Sequence, residues 1–268
     1  MAKGVIETWD KLEDFKRRDV AFDGLKRRVY VAGSGPGVII IHEIPGITPE
    51  VARFARWVRD AGFTVYLPSL FGKPGKPNSK GYTNASILRV LCIAREFKIL
   101  NSADEHSPVV DWLKQLAAVV HSECGGKGVG ALGMCLTGNF ALSMMVEPAV
   151  LAPVLCQPSV PVNDPAGVHA SPEDIRIVRG RMEREDLTLR GYRFAGDKHC
   201  KGARFAALSQ ALGPRFEGEV LPDSAAKPDT FSKNPHSVVT THLINEAGSL
   251  TRQKVDEIIG FFKLRLVS

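Results

Sequence analysis

The 268-residue chain lacks several features that would each have fixed a class of protein. No run of about 18 apolar residues occurs, so nothing in it reads as a membrane span. Its five cysteines (Cys92, Cys124, Cys135, Cys156 and Cys200) form no Cys-x-x-Cys pair, which removes zinc ribbons and dithiol redox motifs. The N-terminus, MAKGVIETWDKLEDFKRRD, is too polar and acidic for a signal peptide. With an odd number of cysteines, it points to free thiols and a cytoplasmic location. There is no internal repeat, which excludes solenoids and propellers. There is no dense Lys/Arg block either. The net charge of +6 is scattered, weakly favours anionic small molecules and gives nucleic acid little support. What remains, at 44% apolar and 24% charged residues, is the composition of an ordinary globular protein with a real core.

The order of elements follows from hydrophobic patterning. Arg18 to Phe22 and Lys26 to Val31 alternate polar with apolar residues around Asp23-Gly24, as a hairpin does. Val38-Ile39-Ile40-Ile41, bounded by glycines, is a continuous β-branched run suited to a strand buried on both faces. Thr48-Pro49-Glu50 then opens an amphipathic helix, with Thr48 as cap and Pro49 at its first position. Phe63 to Leu67 and Gly128 to Gly133 read as further buried strands, and Val150 to Leu155 and Gly191 to Phe194 as two more. Helices are expected over Ala85–Ile99, Val109–Val120, from the 134–138 turn to Met145, over Arg204–Leu212 and over Ser249–Leu266. Strands alternating with helices predict an α/β fold, a mostly parallel sheet covered on both faces, in a single domain spanning 1–268. Residues 1–16 read as an N-terminal extension. The Pro/Ser/Lys/Asp-rich stretch 221–235 reads as a surface insertion.

In such sheets reactive groups gather at the carboxyl ends of the strands. A strand there runs into Gly133-Met134-Cys135-Leu136-Thr137-Gly138 and on into a helix, the pattern of a nucleophile elbow. A helix N-terminus would favour the Cys135 thiolate, and the Leu136 amide would be placed as an oxyanion donor. The second small residue usual in such turns is here Thr137. A cysteine nucleophile needs a base, and the base an orienter. Asp197 follows the strand ending at Phe194, where an acid is expected in the chain order nucleophile, acid, histidine. Beyond it lie His236, after a loop, and His242, within a β-like run; position favours His236.

Other constellations fit poorly. His42-Glu43 cannot open a zinc-binding helix because Pro45-Gly46 follows. Gly33-Ser34-Gly35-Pro36-Gly37 precedes a strand instead of joining strand to helix, so it is a turn and not a phosphate loop. No metal and no cofactor is implied. Arg95, beside Glu96, reads as half of an ion pair or as a guanidinium offered to a substrate carboxylate.

The stretch Val38–Ile47, with its His42-Glu43-Ile44-Pro45-Gly46, followed by a helix and by Tyr66-Leu67-Pro68-Ser69-Leu70, resembles the dienelactone hydrolase family of α/β-hydrolases. The elbow is similar too, because that family uses cysteine where most α/β-hydrolases use serine. Gly196-Asp197 resembles its acid loop, with Lys201 in place of the usual proline, and His236-Ser237-Val238 its histidine stretch. The resemblance implies an α/β-hydrolase fold and a Cys135–His236–Asp197 triad acting on lactones or small esters. It also implies that Glu43 keeps the resting thiol protonated and that the Ile44 amide completes the oxyanion hole with Leu136. A small-molecule substrate follows, handled by a monomer or homodimer. The competing reading is a non-catalytic scaffold of the same fold that binds a small molecule or a partner.

Overall fold

The computed structural model describes residues 8–92, 97 and 107–267. Among them eight strands form one sheet: β1 (Lys16–Phe22), β2 (Leu25–Gly33), β3 (Gly37–Ile41), β4 (Thr64–Ser69), β5 (Val129–Met134), β6 (Val150–Cys156), β7 (Leu189–Phe194) and β8 (Phe216–Leu221). Their spatial order is β1-β2-β4-β3-β5-β6-β7-β8. The β1–β2 and β2–β4 pairs are antiparallel and all the others parallel. The helices are α1 (Pro49–Asp60), α2 (Lys80–Cys92), α3 (Pro108–Cys124), α4 (Phe140–Met144), α5 (Pro172–Arg184), α6 (Gly202–Leu212) and α7 (Leu250–Leu266). None is long and apolar enough to cross a membrane.

β3 shows how the run of β-branched residues makes a two-sided core. Side chains alternate across a strand. Ile39 and Ile41 therefore join the apolar layer built by α3, α4, α5 and α6, while Val38 and Ile40 join the layer of α1 and α7. Burial of these side chains is worth roughly 1.5–3 kcal/mol each. The expected α1 is present, with Thr48 accepting from the Val51 amide at 3.4 Å.

Two elements escaped the sequence pattern. β8 is an edge strand whose Glu217, Gly218 and Val220 face solvent, so it carries no continuous apolar run. α5 buries only Val178, Arg181 and Met182, too few for a clear stripe. The helix expected over 85–99 starts five residues earlier, at Lys80, and its distal part lies outside the described residues, as does Arg95. The elbow leads into a 3-10 turn over Cys135–Thr137 before α4, not one continuous helix. The run around His242 is a turn and not a strand: the His242 amide donates back to the Ser237 carbonyl at 3.1 Å, and the Thr240 hydroxyl is drawn to Glu43 as described below.

The chain order reverses direction at β3: the next strand, β4, lies on one side and β5 on the other. Ligands in open α/β sheets bind at such a switch point, beyond the carboxyl ends of the strands. His42 and Glu43 leave β3 here, Cys135 leaves β5, Gln157 leaves β6 and Asp197 follows β7.

Candidate active site

Cys135 sits directly after β5 with φ of +54°, a left-handed conformation that costs a non-glycine residue energy and marks a sharp turn. Two close approaches make that turn possible. A Cβ on Gly133 would lie 2.1 Å from the Thr137 carbonyl oxygen, and one on Gly138 would lie 2.5 Å from Pro158 Cα. Thr137, in the position usually kept small, is fully buried and acts as a stitch. Its Oγ1 accepts from the Met134 amide at 3.1 Å and lies 3.0 Å from the Ile41 carbonyl oxygen, to which it can donate. The elbow of β5 is thereby tied to the end of β3.

His236 and Asp197 meet across 39 residues of sequence. His236 Nδ1 lies 2.7 Å from Asp197 Oδ2. Asp197 Oδ1 accepts from the His199 amide at 2.8 Å and the Cys200 amide at 3.2 Å. Burial would raise the Asp197 pKa, but His236 and these amides outweigh it and hold the carboxyl below its ordinary value. Burial would likewise lower His236, yet the neighbouring Cys135 sulfur and Asp197 push it well above its ordinary value. His236 Nε2 is buried and has no hydrogen-bond partner among the described residues. One His236 ring nitrogen, Cys135 Sγ and a Glu43 carboxylate oxygen lie within 4.8 Å of one another. With Nδ1 committed to Asp197, Nε2 is the nitrogen left for the thiol. Among the described residues this is also the group with metal-ligand spacing, and its thiol, imidazole and carboxylate would suit a thiophilic divalent ion.

Glu43 is buried and held by three side chains. Ser237 Oγ donates to Oε2 at 2.7 Å, Gln157 Nε2 donates to the same oxygen at 3.3 Å, and Thr240 Oγ1 donates to Oε1. Burial raises its pKa; the Thr240 and Ser237 hydrogen bonds and the His236 charge oppose that rise. Behind it, His42 Nδ1 pairs with the Glu43 carbonyl oxygen at 3.0 Å and Nε2 accepts from the Leu70 amide at 3.1 Å. Full burial pushes the His42 pKa down to about 4, so the ring is neutral and fixes the turn that carries Glu43 and Ile44.

The second candidate histidine holds up the first. His242 Nδ1 accepts from the amides of Ser237 at 3.1 Å and His236 at 3.4 Å, and Nε2 faces the Ser232 carbonyl oxygen at 3.2 Å. An Nδ1 that accepts two amides is unprotonated, and burial lowers the His242 pKa in the same sense.

Sequence reading gave no role to Gln157, Ser237, Thr240 or Asn234. Gln157 is fully buried, has φ of +36°, and accepts the Val238 amide on Oε1 at 3.2 Å while donating to Glu43. Its one sequence signal is its place immediately after a buried strand. Asn234 accepts the Lys198 amide at 3.0 Å and donates to Asp197 Oδ1 at 3.4 Å.

Over these groups opens a cavity of about 510 Å³, within the roughly 300–1,000 Å³ usual for small-ligand sites. Glu43, Ile44, Cys135, Leu136, Lys198, His199, Lys201, His236 and His242 all border it. The stretch 221–235 contributes Phe231, Ser232 and Asn234 to its wall.

The mostly parallel sheet, its two helical layers and the turn holding Cys135 define an α/β-hydrolase fold. Solved structures share it. A dienelactone hydrolase from Anabaena variabilis superimposes with a TM-score of 0.59 at 13% identity, covering 95% of this chain and 100% of that one. An esterase of Pyrococcus furiosus gives 0.53 at 16% identity, covering 97% of each chain. The sequence pattern of the dienelactone hydrolase family matches residues 25–173, more than half of the chain, and the chain belongs to that family. A relative from Saccharomyces cerevisiae is 30% identical over 125 residues, 45% of this chain and 42% of its own length. The carboxymethylenebutenolidase of Rhodococcus opacus is 27% identical over 110 residues, 41% of this chain and 38% of its own length. The chain thus spans less than half the length of these relatives.

Proposed function

We propose that this chain hydrolyses lactones or small carboxylic esters through a covalent thioester on Cys135. One observation carries the reading: the cysteine held at φ +54° on a strand-to-helix turn has beside it a histidine whose far nitrogen is anchored to a buried aspartate. That is the nucleophile, base and orienter arrangement in its functional order.

In this reading His236 Nε2 takes the thiol proton as Cys135 Sγ bonds to the acyl carbon. The carbonyl oxygen gains the negative charge, and the amides of Leu136 and Ile44, both at the cavity wall, stabilise it. Collapse of the tetrahedral intermediate breaks the carbon–oxygen bond, and His236 gives its proton to the leaving alkoxide. A water, deprotonated by His236, then attacks the thioester; the acid leaves and the proton returns to the Cys135 sulfur. Asp197 keeps Nδ1 protonated throughout and stabilises the imidazolium. Glu43 disfavours a thiolate in the resting protein. A thiol nucleophile suits a reducing compartment, in keeping with a cytoplasmic protein.

The test is a panel of lactones and p-nitrophenyl esters against the wild type, Cys135→Ala and His236→Ala. Both variants should lose turnover by ~10²-fold or more. Undiminished hydrolysis by Cys135→Ala would contradict the proposal.

A further inference from the structure

Among the large apolar side chains that the described surface leaves exposed, three border this one cavity: Ile87 at 42%, Val162 at 62% and Phe231 at 38%. They come from three separate stretches of chain: α2, the segment between β6 and α5, and the segment after β8. Single exposed apolar residues need no explanation, but three that line one concave site point to something bound there.

The cavity has two different sides. Cys135 and Ile44 pack against the apolar cluster that contains Leu136 and Val90, and Val90 lines the cavity as well. Around His236 the wall is polar instead, with His199 at 5.2 Å ring to ring and with Asn234 and Lys198 joined to each other beside Asp197. In the hydrolytic reading the leaving alkoxide must lie on the His236 side to receive its proton. The acyl group stays bonded to Cys135, where Ile44, Leu136 and Val90 line the wall beside Glu43 and Ser159.

We infer that the acyl group this site accepts is an extended apolar one, running from Cys135 past Leu136 and Val90 to the rim formed by Ile87, Val162 and Phe231. The inference rests on the proposed hydrolytic function and adds the substrate class: esters of medium-chain or aryl-alkyl acids. Selectivity then grows with acyl length until the chain clears the rim. Transfer of one methylene fully out of water is worth about fourfold in binding, which sets the ceiling per carbon.

The experiment measures kcat/KM for p-nitrophenyl acetate, butyrate, hexanoate and octanoate with the wild type, Val162→Ser and the Ile87→Ser/Phe231→Ser pair. The expected result is a rise of about tenfold or more from acetate to hexanoate, well under the fourfold-per-methylene ceiling. The hexanoate-to-acetate ratio should fall at least threefold, to roughly the loss of one buried methylene contact, in the rim variants. Cys135-dependent hydrolysis with a flat or falling length profile would overturn the inference and leave the hydrolytic reading intact. If no ester turns over, calorimetry of acetate and octanoate esters with Cys135→Ala decides instead. Tighter octanoate binding that the rim variants weaken keeps the apolar site and removes the hydrolytic reading; equal binding removes both. A flat profile together with rim variants that lower the solution mass would identify the rim as a contact between copies of the chain, and so would also overturn the inference.

Discussion

Ser237 Oγ donates to Glu43 Oε2 across 2.7 Å, so the residue next to His236 also grips the carboxylate beside Cys135. The histidine loop and the β3 turn are therefore one unit: a shift in either moves the groups around the thiol together.

Glu43 should govern the reactivity of the resting thiol. Burial raises its pKa, so its ionisation falls above the ordinary carboxylate value of 4.5. Where it is ionised, its charge opposes formation of a neighbouring thiolate. Glu43→Gln should therefore speed iodoacetamide alkylation of Cys135 on the alkaline side of that ionisation and change little on the acid side. Alkylation rate against pH, with mass spectrometry assigning the labelled cysteine, gives the answer. Superimposable pH profiles would show that Glu43 does not control the thiol.

Gln157→Leu should loosen the same unit. The substitution removes the donor to Glu43 and the acceptor of the Val238 amide, both buried. An unsatisfied buried polar group costs about 1–3 kcal/mol, so chemical denaturation should show a loss in that range. Gln157→Glu offers a comparable shape and an acceptor for Val238 but faces Glu43 with a second carboxyl, so it should move the pH profile of alkylation, which Gln157→Leu stability data alone do not address. Two variants with wild-type stability and wild-type pH profiles would rule the role out.

The two histidines should separate by their readouts. His236→Ala should lower turnover ~10²–10⁴-fold with modest loss of stability. His242→Ala leaves the amides of His236 and Ser237 without their acceptor, at about 1–3 kcal/mol for the buried groups. Its turnover, corrected for folded protein, should fall far less than that of His236→Ala. Full activity in His236→Ala with none in folded His242→Ala would reverse the roles.

Some of this was open to reading from the chain and some was not, for physical reasons. The β-branched run at Val38–Ile41 and the glycine-flanked elbow at Cys135 are local patterns, and local patterns survive in sequence. The grip on Glu43 is not local: Ser237 and Thr240 are 194 and 197 residues away, and no periodicity links them to it. Thr137 departs from the usual small residue, yet its hydroxyl reaches the Ile41 carbonyl only because β3 and β5 are neighbours. β8 and α5 leave little trace in the sequence because an edge strand and a lightly buried helix present little apolar surface to read.

Acid should weaken the fold through His42. Its folded pKa of about 4 lies below the ordinary 6.5, so the unfolded chain binds the proton first. Stability should fall as pH drops from about 6.5 to about 4, by roughly 3 kcal/mol for this group. Glu43 works in the opposite sense over the window just above 4.5, because its raised pKa favours the folded state at lower pH. Asp197, held below its ordinary value, adds its own loss only once pH falls under about 3.8. Urea denaturation of wild type and His42→Asn between pH 7 and 4 isolates the histidine: the variant should show the shallower decline. Parallel slopes would remove His42 from the account.

The most direct measurement is intact mass after rapid mixing with p-nitrophenyl acetate, followed by peptide mapping. The account predicts one acetyl group carried on Cys135, formed together with the burst of p-nitrophenol, and accumulating in a His236→Ala protein that deacylates slowly. Steady ester turnover without any adduct on Cys135, persisting in Cys135→Ala, would contradict it.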